Sequence, residues 1–392
     1  VNRKQKLAIV TTHPVQYNAP LFRLLTQRQQ VEINVFYTWE QAKGAIYDPG
    51  FGHTRQWDIS LLDGYRYSFV RNTATQPGSH HFRGIKNPGL VNEIEAWGAD
   101  AVLVYGWSFW SHLACLRYFK GRVPVFFRGD STLLDEKWGI KSFARRLFLR
   151  RVYQYVDRAF FVGRNNKAYF RAHGLQEDRL VFAPHAVDNN RFGAIGKEEE
   201  KELACWRDQL KLAENDFVVL FVGKFEDKKA PQFLLELAIA IPTANIKFLL
   251  VGNGPLEGTL KEQRRNSQVI FLPFQNQSKM PLVYRLGNVL VLPSKGPGET
   301  WGLAANEAMA CGLPVILSDK VGSVPDLVGD KNTGIVFSGN DVGRVAGYIC
   351  SLQKDRGFYQ QVCQNARQHI QAFSFEKIAM AIEEQMQKIS AI

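Results

Sequence analysis

Two doubly wound α/β domains are the fold class that the sequence predicts, and three observations predict it. Short apolar runs alternate with amphipathic segments of helix length along the whole chain. Several of those runs are continuous Val/Ile/Leu/Phe without polar alternation, which is how strands covered on both faces read. The length, 392 residues, is long for one core and comfortable for two.

In the first half, strands are expected at "KLAIVTT", "VEINVFY", "DAVLVY", "VPVFFR", "RAFFVG" and "RLVFAP". In the second half they are expected at "FVVLFVG", "IKFLLVG", "VIFLP", "NVLVLP", "LPVILS" and "TGIVFS". Between them, residues 194–216 are charged, include three consecutive Glu and carry no strand signal, so a linker is placed there. The expected division is 1–193, 194–216, 217–372, and a last amphipathic helix in 373–392 that crosses back to the first domain. Ligands of open α/β sheets bind beyond the carboxyl ends of the strands, so functional motifs are expected just after strands, in a cleft between the two domains.

Composition narrows the class. With 45% hydrophobic and 22% charged residues the chain reads as an ordinary globular protein. It has no apolar run long enough to span a membrane. The start, "VNRKQKLAIVTTHP", reads as a first strand rather than a leader. Five cysteines without C-x-x-C spacing read as reduced thiols, which suits a cytoplasmic location. The net charge of +12 is uneven: residues 1–190 hold 26 Lys+Arg against 15 Asp+Glu, and residues 191–392 hold 23 against 22. A surplus of that kind suits an anionic partner for the first half, or serves solubility alone.

Three segments of the second half look built for phosphate. After "FVVLFVG", Gly223 makes a turn and Lys224 and Lys229 follow, two cations that can neutralise a diphosphate. After "NVLVLPS", the run "KGPGETWGLAANEAMACG" turns through Gly296, Pro297 and Gly298, then enters an Ala-rich helix near Trp301 or Gly302 that stops at Gly312. The first N–H groups of that helix, at Leu303 and Ala304, are candidates for holding a phosphate, with Gly302 allowing close approach. A weaker signal is "LLVGNGPLEGTL", with Gly252 and Gly254 in a strand-to-helix turn. No metal-ligand spacing is seen, and a diphosphate held by two lysines and a helix N-terminus needs no divalent cation, so neither metal nor cofactor is expected.

These blocks give the chain a resemblance. "FVGKFEDKKAP", "LLVGNGPLEGTL", "VIFLPFQNQSKMPLVYRLGNVLVLPS", the E-x7-E pair Glu299 and Glu307, and "AMACGLPVILSDKVGSVPDLVGDKNTGIVF" follow one another over about 120 residues. In that order and spacing they resemble the retaining GT-B glycosyltransferases of family 4, the group 1 type. "VFAPHAVDNNRF" is similar to a segment near that family's domain junction, whereas the first half matches only in outline. The resemblance implies a GT-B fold and transfer from a nucleotide-diphosphate sugar, UDP favoured over GDP, to a glycan or lipid-linked acceptor. It implies that Glu299 binds donor-sugar hydroxyls, that Glu307 binds the ribose hydroxyls, and that Lys224 and Lys229 hold the diphosphate. It also implies that the backbone of Thr300, Trp301 and Gly302 approaches the sugar, and that Phe274 and Gln275 border the base. The family's Gly-rich first loop is replaced here by "TTHPVQYNAPLF", so His13, Gln16 and Tyr17 are assigned to the acceptor. Asp130, in "FFRGDST", falls near the place of a family His and can orient the acceptor hydroxyl, touch the donor sugar, or cap a turn or helix. His185 replaces a usual Asn and reads as structural.

Six of eight Trp precede residue 190: Trp39, Trp57, Trp97, Trp107, Trp110 and Trp138. Trp107 and Trp110, just past "DAVLVY", are acceptor candidates, with core packing the plainer alternative. "KSFARRLFLRRVYQYVDR" reads as a basic amphipathic helix, either an ordinary helix with its apolar side on the sheet or a contact for an anionic membrane. Three other functions compete: a GT-B-shaped nucleotide-sugar epimerase, a glycoside hydrolase using Glu299 and Glu307 as its acid pair, and a basic nucleic-acid-binding protein. The lysines beside a helix N-terminus disfavour the hydrolase, and the acidic pair in the same place disfavours nucleic acid.

Overall fold

The computed structural model describes residues 3–42, 46–48, 53–137, 139–265 and 267–389; Trp138 lies outside them. The chain divides into two compact units, one of Val1–Ile46, Ile59–Pro184 and Phe375–Ile392, the other of Tyr47–Asp58 and His185–Ser374.

The first unit is built on strands β1 (Lys6–Thr11), β2 (Glu32–Tyr37), β5 (Tyr67–Phe69), β6 (Ala101–Tyr105), β7 (Val125–Arg128), β8 (Arg158–Phe161) and β9 (Leu180–Phe182). Short strands β3 (Ile46–Asp48) and β4 (His53–Arg55) pair as a separate ribbon, nearly all of it in the second unit's segment Tyr47–Asp58. The seven strands run parallel in the order β5-β2-β1-β6-β7-β8-β9. Residues Leu7–Val10 and Ala101–Val104 are fully buried, as the unbroken apolar runs require. β5 escapes sequence reading because it is three residues of edge strand, paired only with β2 and partly exposed. The last helix, Phe375–Ile389, belongs to this unit. It buries Ile378, Ile382 and Met386, and its Glu383 accepts a forked pair of bonds from Arg28 at 2.8 and 2.7 Å.

The second unit carries β10 (Phe217–Val222), β11 (Ile246–Val251), β12 (Val269–Leu272), β13 (Val289–Leu292), β14 (Val315–Ser318) and β15 (Gly334–Phe337). They too run parallel, in the order β12-β11-β10-β13-β14-β15. Its core joins Val219, Phe221, Phe248, Leu250, Val289 and Ile316 on the sheet to Phe233, Leu234 and Leu237 of the helix Gln232–Ala240. The segment 194–216, read from the sequence as a linker, holds the helix Lys197–Gln209. Its three Glu fall in the first turn, where the helix dipole favours them, and Glu199 accepts from the Gly196 N–H at 2.7 Å. Lys279 ties it to Met280–Leu286 through Glu202 at 2.6 Å.

In both sheets the strand order reverses once along the chain, between β1 and β6 in the first and between β10 and β13 in the second. At such a switch point the connections leave in opposite directions and open a crevice at the carboxyl edge.

One buried polar cluster braces the first switch point. His112 is fully buried, with Nδ1 at 3.0 Å from the Tyr105 carbonyl and Nε2 at 2.9 Å from the Thr38 hydroxyl. Burial lowers its pKa to about 4. The folded state then binds its proton less readily than the unfolded state, whose His titrates near 6.5, so this group's contribution falls as pH drops from about 6.5 to about 4. His112→Gln is expected to lower stability at pH 7 and to lose that part of the acid sensitivity. Urea melts of both proteins at pH 7 and 4.5 measure it, and equal pH slopes would remove the assignment.

Candidate functional site

The carboxyl edge of β10 and β13, the second unit's switch point, gathers the residues singled out in the sequence. Past β10, Gly223 and Lys224 lead into a short 3-10 turn, Asp227–Lys229. Past β13, Ser294 begins a loop through Gly296 and Gly298, both at positive φ (69° and 90°). The two loops are tied by the Lys295 N–H donating to the Lys228 carbonyl at 2.8 Å.

Lys229 Nζ bonds Glu299 Oε2, and the Ser294 hydroxyl donates to the same oxygen at 2.8 Å. Both charged side chains are largely covered, at 21% and 11% exposure, so each supplies the countercharge the other needs away from water. The second carboxylate is deeper. Glu307 is 3% exposed and accepts a bond from the Tyr284 hydroxyl at 2.6 Å. A cavity of about 410 Å³ opens beside this region, lined among others by Ser294, Lys295, Ser318 and Lys320.

Between the two carboxylates the helix Leu303–Ala310 begins. Gly302 is its N-cap at φ +89°, and a Cβ there would come within 2.8 Å of Val321 and 2.9 Å of Leu292. Only glycine fits both that backbone and that space. The Ala305 N–H returns to the Gly302 carbonyl, and the N–H groups of Leu303 and Ala304 precede the first full turn. The loop before it is clamped from outside: the Gly322 N–H donates to the Glu299 carbonyl and the Ser323 N–H to the Trp301 carbonyl. Thr300 lies in this clamp, since a Cβ on Gly322 would meet its carbonyl oxygen at 1.8 Å.

Trp301 turns its indole inward. It is 3% exposed and donates to Asn306 Oδ1 at 2.7 Å, while Asn306 Nδ2 donates to the His185 carbonyl at 3.1 Å. The His185 ring packs on Trp301 at 5.4 Å. What Trp301 can offer a ligand is therefore backbone, and the His185 ring is engaged in packing against it.

The turn holding Gly252 packs against the turn after β10. A Cβ on Gly252 would lie 2.0 Å from the Gly223 carbonyl oxygen, so close backbone packing by itself accounts for that glycine. Phe274 and Gln275 follow β12 and are half-buried; the Phe274 N–H is fixed by Asn253 Oδ1 at 2.7 Å.

In the first unit the acceptor candidates also fall at a switch point. His13, Gln16 and Tyr17 lie in the loop after β1, Trp107 and Trp110 after β6, and Asp130 after β7. His13 bonds Thr12 Oγ1 at 2.9 Å and packs edge-on to Trp39; burial lowers its pKa, which favours the neutral ring near pH 7. Trp107 is half-buried, edge-on to Phe148 at 5.5 Å, and so is engaged in packing. Trp110 is 37% exposed with the Lys86 ammonium over its ring. Asp130 sits near the buried guanidinium of Arg128, which donates to the carbonyls of Ala183 and Pro184 at 2.7 and 2.9 Å.

Sequence reasoning missed Tyr284, Ser294 and Asn306. Each is a neutral polar residue in an ordinary helix or strand end, and its partner comes from a distant segment or a bend that no local spacing announces. Among the described residues, no group of three or more His, Cys, Asp or Glu is placed to hold a metal ion.

Residues 204–369 match the family model for "Glycosyl transferases group 1". This segment is a glycosyl transferases group 1 domain. It contains Lys224, Lys229, Glu299 and Glu307, and it covers most of the second unit. The chain is 36% identical over 194 residues to a D-inositol 3-phosphate glycosyltransferase of Mycobacterium sp. (strain KMS), a match covering 45% of this chain and 43% of that one. It is 30% identical over 221 residues to the protein of the same name from Salinispora arenicola, covering 53% and 49%. The chain thus spans about half the length of the curated relatives it matches. Solved structures resemble it throughout. Sucrose-phosphate synthase of Thermosynechococcus elongatus has a TM-score of 0.71 at 20% identity over 99% of this chain and all of that one. Anabaena HepE, in complex with UDP and glucose, has a TM-score of 0.69 at 16% identity over 98% and 100%. At such identities the likeness shows the fold, which is GT-B.

The Tyr284–Glu307 bond is the most covered contact around the group 1 domain's acidic pair. Tyr284→Phe removes one donor from a buried carboxylate and is expected to cost about 2 kcal/mol. Denaturant melts would show it, and a change under about 0.5 kcal/mol would mean that the carboxylate is served elsewhere.

Proposed function

We propose that the chain is a retaining glycosyltransferase that moves a sugar from a nucleotide-diphosphate sugar, UDP-linked in preference to GDP-linked, to a glycan or lipid-linked acceptor, without a divalent metal. The observation that carries this reading is the Lys229–Glu299 pair beside the N-terminus of Leu303–Ala310, inside the group 1 domain and at a switch point. A cation, a helix N-terminus and two carboxylates in one place suit a ligand with both phosphates and hydroxyls.

In this reading the diphosphate lies against the Leu303 and Ala304 N–H groups, Lys224 and Lys229. An ammonium has three donors, so Lys229 keeps its bond to Glu299 while donating to phosphate. Glu299 accepts from sugar hydroxyls and Glu307 from the ribose. Thr300, Trp301 and Gly302 present backbone to the sugar, Gly223 leaves room by the phosphates with Gly252 packed against its carbonyl, and Phe274 and Gln275 border the base. His13, Gln16, Tyr17 and Trp110 serve the acceptor, with Asp130 orienting its hydroxyl; Trp107 supports them through packing. The UDP in the Anabaena neighbour supports the choice of base.

The chemistry is a substitution at the anomeric carbon. The acceptor oxygen bonds that carbon on the face the phosphate leaves, the carbon–phosphate oxygen bond breaks, and the acceptor proton passes to the departing phosphate. The protein's task is to stabilise the charge that gathers on the leaving diphosphate, which fixed N–H dipoles and lysines do without a strong base.

A thermal-shift panel of UDP-, GDP- and ADP-sugars, with and without EDTA, tests the donor. UDP-sugars are expected to raise the melting temperature most, equally with EDTA; no shift from any of them would end the reading. Glu307→Ala is expected to weaken nucleotide binding severalfold or more, and unchanged affinity by calorimetry would remove the ribose role. Lys229→Ala is expected to lower turnover at saturating donor by about tenfold or more, and near-normal turnover would count against leaving-group stabilisation. Retention is read from the anomeric configuration of the product by NMR.

A further inference from the structure

The helix Ile140–Tyr153 of the first unit carries two apolar faces, and only one of them meets the core. At 3.6 residues per turn, Leu149, Val152 and Tyr153 fall on one side, and all three are buried in the sheet-facing core. Ile140, Phe143 and Leu147 fall on the opposite side, with Phe148 beside them. Their exposures are 89%, 64%, 51% and 46%. The plain reading of this helix from sequence, apolar side on the sheet and basic side in water, therefore fails for these four residues. They account for four of the ten large exposed apolar side chains among the described residues.

Apart from the small Ala144, the rest of that outward face is cationic. Arg151 continues the ridge at its carboxyl end, and Lys141 and Arg150 flank it on its two sides, all three exposed. Arg145 and Arg146 add further charge, the latter bonded to Glu136 at 3.1 Å. The sequence 140–153 contains five Lys and Arg and no Asp or Glu. Phe148 is braced from below by the Trp107 ring, so the ridge rests on the core.

We propose that this face docks the protein on an anionic lipid bilayer, with Ile140, Phe143, Leu147 and Phe148 entering the interface and Lys141, Arg150 and Arg151 meeting lipid phosphates. Charge selects this occupant. A ridge of exposed aliphatic and aromatic side chains flanked by cations is the form taken by helices that lie in the plane of a membrane surface. A bilayer doped with anionic lipid complements both the apolar ridge and its rim. A second copy of this chain would bring the same cations against one another. The inference is independent of the activity proposed above, since it reads binding to lipid and not turnover.

Vesicle co-sedimentation of the full chain tests it, with phosphatidylcholine alone and with phosphatidylglycerol added. Binding is expected to be at least about tenfold stronger to the anionic vesicles and to fall as salt is raised. Ile140→Ser/Phe143→Ser/Leu147→Ser, three exposed positions, is expected to abolish it with the melting temperature and nucleotide affinity unchanged. Lys141→Glu/Arg151→Glu is expected to remove the preference for anionic lipid. Equal sedimentation of the wild type and the triple serine variant would overturn the proposal, as would no binding by the wild type at low salt. A concentration-dependent dimer that the serine variant loses in analytical ultracentrifugation would assign the face to a second copy instead.

Discussion

The bond between Lys229 and Glu299 is the contact on which the second unit's carboxyl edge depends. It joins the loop after β10 to the loop after β13, across the one place where strand order reverses. With both side chains mostly covered, removing either leaves a charge in a poorly solvated place. The pair therefore fixes the two loops together, and Ser294 and the Lys295–Lys228 backbone bond hold the same junction. The start of the helix Leu303–Ala310 inherits its position from that junction. Gly302 is its N-cap, and the Gly322 and Ser323 N–H groups pin the loop ahead of it.

That arrangement resolves why two carboxylates share a place with a cationic site. An acidic side chain near a phosphate is repulsive unless it is neutralised or turned to a neutral partner. Glu299 is neutralised by Lys229, and Glu307 accepts from the Tyr284 hydroxyl. The helix N-terminus is left as the local surplus of positive character. Glu307 is 3% exposed, so its bond to Tyr284 is shielded from water.

How much of this was legible depended on how local each signal is. All twelve strands named from apolar runs are present, because a strand buried on both faces announces itself in composition alone. β5 was not legible, since a three-residue edge strand owes its existence to its neighbour. Lys229, Glu299, Gly302 and Glu307 were singled out from two turns and one helix, and the structure brings Lys229 to Glu299. Their partners were not: Tyr284 comes from Met280–Leu286 and Asn306 looks toward His185, and no periodicity links those positions. The direction of the Trp301 indole was equally hidden, because a Trp beside a glycine turn reads the same whether it faces ligand or core.

The helix Ile140–Tyr153 shows the same limit from the other side. Its sequence is amphipathic by count, yet periodicity alone does not say which apolar residues the sheet will use. The core takes Leu149, Val152 and Tyr153, near its carboxyl end, and the second apolar stripe lies on the opposite side of the helix. Ile140, Phe143 and Leu147 are then left in water, where each is a standing cost of apolar hydration. Helix propensity does not require them, since Ala, Lys or Glu would serve an exposed face better. An outward ridge that is costly in water and surrounded by cations is most economically explained by a surface that is both apolar and anionic, which is why the unit's excess positive charge and its exposed hydrophobic side chains are best treated as one feature.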